Sequence, residues 1–471
     1  MQPADPRPSV IERPRTKLVC TVGPASVGRM AELASAGMDV ARINFSHGTS
    51  AEQADASARV HEVPGVALLV DLPGPKIRLG DLMLESITLE AGASFTLRPE
   101  DRTPGDASGA HVGYPDLGTD VRAGDRILLA DGAVELRVAS AGSDVTTEVV
   151  RGGIIRGHAG VSVPSERVSR PTLTDADRSG APRAVELGAT FVAQSFVRRA
   201  ADVRELRVLL GAAGPPIVAK IETRPAVDDF DAICEVADAV MIARGDLGVE
   251  LPFEEVPIIQ KQLVRRALDR GVPTIVATQM LESMITSPRP TRAEASDVAN
   301  AIFDGADAIM LSAETAIGAH PILAAEAAMR IARLCEERGV AHLAGGAPPT
   351  AATDADALAY AAVALATADR DVAAIGCYTR SGRTARIISS LRPRVPIMAF
   401  SPDPAIVERL GLIHGVVARS CVPPRDDQTR LGLMAQLISE TGTLPTGAAV
   451  VLVASTAEPG SGPNLLEIHR V

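Results

Sequence analysis

The chain has 471 residues, and at about 150 residues per domain it should hold roughly three folding units. With 46% hydrophobic and 22% charged residues it has material for several packed cores, which excludes wholesale disorder. A net charge of −11 argues against nonspecific nucleic-acid or lipid binding, and apolar runs such as residues 66–70 fall short of the roughly 18 residues that cross a bilayer.

In chain order, residues 1–14 are Pro- and Arg-rich with no apolar stretch of the secretory kind, and read as a tail. From residue 15 the pattern alternates β-branched runs with Ala/Leu-rich amphipathic stretches. It predicts strands at 17–22, 39–43 and 66–70 and helices at 29–37 and 50–63. The rhythm breaks after Asp71. Residues 73–171 show short alternating strands (86–89, 94–97, 126–129, 135–138, 146–150) divided by Gly, Pro and Asp, and read as a small all-β insertion. From about 172 the βα pattern resumes, with strands at 190–193, 217–219, 239–242, 274–277 and 308–311 and helices such as 254–270 and 292–303. Three strands before the insertion and five after it make a (β/α)8 TIM barrel formed by 15–72 and 172–344, interrupted after its third strand. Residues 345–354 read as a linker. Residues 355–471 have their own βα alternation (strands at 373–378, 397–400, 415–417 and 448–453) and read as a smaller C-terminal α/β domain.

The five cysteines form no CxxC pair and have an odd total, which argues for a reducing, cytoplasmic setting and against a disulfide framework or zinc site. Of 47 basic residues only four are lysine: Lys17, Lys76, Lys220 and Lys261. Where arginine is the default cation, each lysine raises the question of a compact ammonium needed at that place.

Active sites of TIM barrels lie at the C-terminal ends of the strands. There the sequence sets Arg42 to Gly48, Asp71 with Lys76 and Arg78, Lys220 with Glu222, Arg244 to Asp246, Thr278 with Gln279, and Glu314. Glu222 and Asp246, on neighbouring strands, are a natural pair for a hard divalent cation, Mg²⁺ or Mn²⁺; an ion pair with Lys220 or Arg244 is the structural alternative. Lys220, two residues from Glu222, puts an ammonium beside that cation, where it would stabilise a transferring phosphoryl group or an enolate. Arg42 and Arg78 suit phosphate through a planar fork, and the Gly245-Asp246 turn offers N–H groups to an anion. In the last domain Thr379, Ser381, Gly382, Arg383 and Thr384 lie between a strand and a helix, a plausible phosphate cradle.

Residues 15–25 (RTKLVCTVGPA), 37–48 (GMDVARINFSHG), 278–284 (TQMLESM), 290–304 (PTRAEASDVANAIFD) and 310–315 (MLSAET) resemble signatures of the pyruvate kinase family, in the family's order. The resemblance implies transfer of phosphate from phosphoenolpyruvate to ADP, with the insertion as a lid that excludes water. It implies that Lys220 stabilises the transition state, that Glu222 and Asp246 hold Mg²⁺, and that Arg42 meets the phosphoenolpyruvate phosphate. Gly245, Asp246 and the Thr278 hydroxyl would receive its carboxylate. Arg78, the turn with Asn44 and His47, and Asp131 in the lid would face the nucleotide. It also implies a homotetramer and a phosphorylated effector on the loop from Thr379 to Thr384.

The chain departs from the family where K⁺-requiring members read DTKGPEIRT: residues 71–79 are DLPGPKIRL. Leucine replaces each threonine and Lys76 replaces the glutamate, while Asn44, Ser46 and Asp71, the other candidate monovalent-cation ligands, are present. This resembles the branch in which a lysine ammonium stands in for K⁺, so K⁺-independent activity is expected. Arg156 and His158 are the only cations near residues 157–164, where the family often carries nucleotide-facing lysines, and Thr223 stands where asparagine is usual. Two other readings stay open: a Mg²⁺-dependent barrel acting on an enolate, such as an aldolase or mutase, which needs neither lid nor Arg78; and a catalytically silent metabolite sensor, against which the intact Lys220, Glu222 and Asp246 argue.

Overall fold

The computed structural model describes residues 10–339, 353–423, 429–454 and 465–471. Eight parallel strands close into a barrel: Lys17–Thr21, Val40–Asn44, Ala67–Asp71, Phe191–Val197, Ile217–Ile221, Ala239–Ala243, Thr274–Ala277 and Ala308–Leu311. Strands one and eight pair in register to complete the ring, Lys17 opposite Ala308. The strands are apolar on both faces because both are covered. Val19, Val40, Leu69, Val218, Met241, Ile275 and Met310 fill the interior, and their neighbours Leu18, Cys20, Ile43, Leu68, Val70 and Ile242 pack under the helices. Lys220 and Val218 therefore share the inward face of strand five by simple alternation.

Four helices open with a Thr-x-x-Glu/Asp capping box, in which the threonine hydroxyl and the acid three residues on exchange hydrogen bonds with each other's backbone N–H: Thr49 with Glu52, Thr174 with Asp177, Thr291 with Glu294 and Thr353 with Asp356. Asp177 does more than cap. Its Oδ1 also accepts from Gly74 N–H at 2.9 Å, tying the start of the insertion to the barrel.

The insertion is built mainly of β-strands, as the sequence reads it, but it also holds a short helix at Leu117–Asp120 that the all-β reading does not include. Six strands pair in one sheet around Phe95, Leu97, Tyr114, Ile127 and Leu136, and Ser86–Leu89 pairs with Gly153–Arg156 in a second. Three short strands escape the sequence pattern: Gly109–His111, Gly153–Arg156 and Val161–Ser162. Each is too short, or too rich in glycine, to show alternation. The insertion returns to the barrel mouth through Ser165–Arg167, where Ser165 Oγ donates to Glu250; Arg198 donates to the carbonyls of Val168 and, at 2.6 Å, Arg170.

The C-terminal domain is a five-stranded sheet in the order Val416–Ser420, Ile397–Ser401, Val372–Tyr378, Ala449–Ala454, Leu465–Arg470. Its last strand is antiparallel and lies outside the sequence expectation; it runs along an edge with four of its six residues exposed, which leaves no apolar run to read. The expected linker 345–354 lies largely outside the described residues; Thr353 and Asp354 belong to the start of helix Asp354–Ala368. Two further expectations change in tertiary context. Val10, inside the expected tail, is 3% exposed and packs in the C-terminal domain beside Tyr378 and Phe400. Leu412, from that same domain, closes the barrel's floor among Val40, Ala67 and Ala308.

Candidate active site

The barrel mouth gathers the charged residues that the sequence assigns to strand ends. Lys220 is 9% exposed, and its ammonium donates to Ser195 Oγ at 2.8 Å, with Glu222 Oε1 at 3.0 Å and Asp71 Oδ1 at 3.4 Å. Burial disfavours its charge, but Asp71 and Glu222 outweigh burial and hold its pKa above the ordinary lysine value. Asp71 is buried too; Lys220 and Arg42 overcome the opposing effect of burial and keep its carboxyl below the usual range. Arg42 commits Nε (2.8 Å) and Nη2 (2.7 Å) to Asp71 Oδ2, and its Nη1 donates to Thr21 Oγ1 at 2.9 Å.

Glu222 lies just past strand five and accepts from Phe196 N–H at 2.8 Å through Oε2. Its other oxygen, Oε1, is buried and takes no hydrogen bond of good geometry, despite the nearby ammonium. Burial raises the pKa of Glu222 and the Asp246 carboxylate raises it further, against the pull of Lys220. Asp246 sits in the first turn of helix Arg244–Glu250 rather than on strand six itself, and shares a cleft with Glu222 between barrel and lid. Among the described residues no group of three or more His, Cys, Asp or Glu side chains gathers for a metal. Two carboxylates along one cleft, one with a buried oxygen that takes no hydrogen bond of good geometry, nonetheless fit a hard divalent cation that draws its remaining ligands from a substrate and from water.

Thr278 has φ of 72° and Gln279 of 55°, a left-handed turn rare for residues with side chains. The turn aims the Thr278 hydroxyl across the mouth, where it accepts from Gly245 N–H at 2.7 Å and donates to the Ala277 carbonyl at 2.6 Å. The Gly245 N–H assigned to a substrate carboxylate thus has a partner already, and a carboxylate there would share or replace the Thr278 hydroxyl. Arg244 braces the turn, donating to the Thr278 carbonyl at 2.7 Å while paired with Asp297 at 2.7 Å.

On the lid side, Asn44 Oδ1 accepts from Ser46 N–H at 3.0 Å and its amide lies 3.2 Å from His47 Nδ1. Burial, then Arg78, Arg42 and Lys76, lower the His47 pKa, so its ring is neutral near pH 7. Arg78 is exposed, with Nη1 on the His158 carbonyl at 3.2 Å. Lys76 Nζ lies 2.9 Å from Asp246 Oδ1 and 4.0 Å from Asp131 Oδ1. Its hydrogen bond therefore goes to a divalent-cation candidate, whereas Asp71, expected to share its site, is held by Arg42 and Lys220. Leu72 is buried and offers no side-chain oxygen, only a carbonyl that accepts from Ser195 Oγ at 2.8 Å. The other two lysines are structural. Lys17 Nζ donates to the Val416 carbonyl at 2.8 Å across the domain seam, and Lys261 pairs with Asp304 between barrel helices. Thr223 caps helix Arg224–Asp228, which explains why threonine suffices there.

In the C-terminal loop, Thr379 is buried and accepts from Gly382 N–H at 2.9 Å; Ser381 and Arg383 are exposed and Thr384 is half-buried. Thr379 shapes the loop, and the other side chains form its outer face.

Sequence reasoning missed Ser195, Phe196, Thr21 and Glu250. Thr21 ends strand one and Ser195 and Phe196 lie near the end of strand four, the two strand ends passed over; strand four runs to Val197 through a register shift between Gln194 and Val197. Extending the strand-four reading by three residues, from 193 to 196, takes in both Ser195 and Phe196.

Among known proteins, the family described as "Pyruvate kinase, barrel domain" matches residues 13–325, and "Pyruvate kinase, alpha/beta domain" matches residues 356–469. A protein named pyruvate kinase from Bacillus licheniformis is 41% identical over 97% of this chain and 80% of its own. Proteins of that name from Mycobacterium tuberculosis and Clostridium perfringens are 40% and 38% identical, each over 97% of this chain and over 98% and 100% of their own.

Proposed function

The chain belongs to the pyruvate kinase family, and from that premise we propose that it transfers the phosphoryl group of phosphoenolpyruvate to ADP, giving ATP and the enolate that becomes pyruvate. The observation that carries this reading is the cluster of Lys220, Glu222 and Asp71 at the barrel mouth, with Asp246 across the cleft. The Lys220 ammonium, kept charged by two carboxylates, is placed to offset negative charge that develops on the transferring group and on the enolate oxygen. Arg42, fixed by Asp71 and Thr21, presents its remaining N–H capacity to the substrate phosphate. Thr278 and the Gly245–Asp246 backbone orient the carboxylate, and Arg78, Asn44, His47 and Asp131 face the nucleotide. Glu222 and Asp246 would hold Mg²⁺ or Mn²⁺, which when bound neutralises phosphate charge and orients the two substrates. The lid, tied to the mouth by Ser165 and Arg198, limits water and so protects the phosphoryl group from hydrolysis.

The reaction is expected to be independent of K⁺. Lys76 brings a fixed positive charge to the mouth, and Leu72 removes a hydroxyl that a K⁺ shell would use. On family grounds we also expect a cytoplasmic homotetramer, with a phosphorylated effector on the outer face of the loop formed by Ser381, Gly382, Arg383 and Thr384; Phe253 and Ile258 are exposed apolar side chains that another copy would cover. No helix among the described residues is long and apolar enough to cross a membrane.

The test is pyruvate formation from phosphoenolpyruvate and ADP with Mg²⁺, with tetramethylammonium as the only monovalent cation, followed by addition of K⁺. Full activity before K⁺ is the expected outcome. Activity only after K⁺ would keep the kinase and discard the role of Lys76; no pyruvate in either buffer would return the aldolase and sensor readings.

A further inference from the structure

We infer that Lys76 is a displaceable counter-ion of Asp246: its ammonium and a divalent cation contend for the same carboxylate, so loading the cation releases the Lys76 ammonium from the barrel. This rests on the proposed reading of Glu222 and Asp246 as the metal ligands.

Two ammonium groups flank those two carboxylates, and they differ in kind. Lys220 is buried and clasped by Ser195, Asp71 and Glu222, so it has no alternative position. Lys76 is 31% exposed and bonds to one barrel group, Asp246 Oδ1 at 2.9 Å, with Asp131 of the lid 4.0 Å away. It lies in the segment that leads from the third barrel strand into the lid. Its aliphatic stem passes under Gly160, where a Cβ would stand 3.4 Å from Lys76 Cε and 3.5 Å from Asp131 Oδ1. The lysine is thus rooted in the lid and tethered to the barrel by a single ion pair.

Lys76 occupies one of the two Asp246 carboxylate oxygens, and its positive charge, about 3–4 Å from a cation bound through that carboxylate, opposes the cation's arrival. Partial exposure screens this repulsion, so the effect on affinity is moderate, about tenfold. Once the cation holds Asp246, the released ammonium is free to place its charge against substrate anions, the role for which K⁺ serves elsewhere in the family. One lysine then guards the carboxylate and afterwards supplies the monovalent charge.

The experiment is a titration of the full-length protein with Mn²⁺ alone, with neither substrate present, in which free Mn²⁺ is read by electron paramagnetic resonance. Wild type is compared with Lys76→Met, Lys76→Arg and Glu222→Gln, each checked for native circular dichroism. Lys76→Met should bind Mn²⁺ about tenfold more tightly than wild type, Lys76→Arg should not, and the gap should narrow at high salt. Equal or weaker binding by Lys76→Met, with binding abolished in Glu222→Gln, would overturn the inference and leave the metal site intact. Unaltered binding in Glu222→Gln would overturn the metal assignment and the inference with it.

Discussion

At the level of single residues, the centre of the site is one ammonium held by three oxygens. Ser195 carries as much weight there as the residues visible in the sequence: it accepts a hydrogen bond from Lys220 and donates one to the Leu72 carbonyl, so it fixes where the ammonium points. Lys220→Met removes the charge proposed to act on the transition state. Its kcat should fall about 10²–10³-fold, the loss typical of one preorganised electrostatic group, with phosphoenolpyruvate KM changed far less. Ser195→Ala leaves the charge but loosens its aim, for an expected drop of about tenfold in kcat. Ser195→Thr, which restores a hydroxyl, should recover most of it. Steady-state kinetics of the three variants decide the matter; a normal kcat for Ser195→Ala would show that Asp71 and Glu222 position Lys220 without help.

Between elements, the joint that matters is the one where the third barrel strand gives way to the lid. Gly74 has φ of +68°, and a Cβ there would lie 2.7 Å from Ser195 Cβ and 2.9 Å from the Phe196 ring. Its N–H is also held by Asp177, so the loop has little freedom to retreat. Gly74→Ala therefore combines a left-handed backbone cost of about 1 kcal/mol with a close clash. The residues it pushes are those that orient Lys220 and Glu222. Differential scanning calorimetry should show a lower Tm, and pyruvate formation should fall well beyond what the lost stability explains. Gly92→Ala, at a lid position with positive φ but open space around it, is the control that should retain activity.

Across the whole molecule, the barrel and the C-terminal domain are joined by a charged seam. Arg392 pairs with Asp307 at 3.0 Å with both side chains buried, Arg15 donates to the Pro393 carbonyl at 3.3 Å, and Lys17 reaches the Val416 carbonyl. Buried His414 lies in this seam, its backbone N–H 3.4 Å from Asp307 Oδ1 and its carbonyl accepting from Ser389 Oγ at 2.7 Å. Burial, then Arg392, Arg15 and Lys17, push its pKa well below the ordinary value. Because the folded pKa is depressed, the unfolded chain takes up a proton below about pH 6.5 that the folded seam refuses, and stability is lost as pH falls through that window. Wild type should therefore lose Tm more steeply between about pH 7 and 5 than His414→Gln, which keeps a polar side chain and cannot titrate. Parallel slopes would assign the acid sensitivity to carboxylates elsewhere.

The sequence by itself determined the architecture and most of the candidate site. Strands 126–129, 274–277 and 308–311 fall where alternation and β-branching place them, and barrel closure follows from counting eight βα units. Lys220, Glu222, Arg42 and Thr278 were legible because a TIM barrel carries chemistry only at one end of its strands, so position along the chain becomes position in the site. What only the tertiary structure decided is which group holds which. Ser195 came into view through a register shift, Lys76 was found on Asp246 instead of beside Asn44, and Val10 and Leu412 proved to be core residues of units other than their own. Periodicity reports the face a residue takes relative to its own strand or helix. Partners across a barrel mouth, a lid or a domain seam lie tens or hundreds of residues apart, and closure of the chain alone brings them within hydrogen-bonding distance.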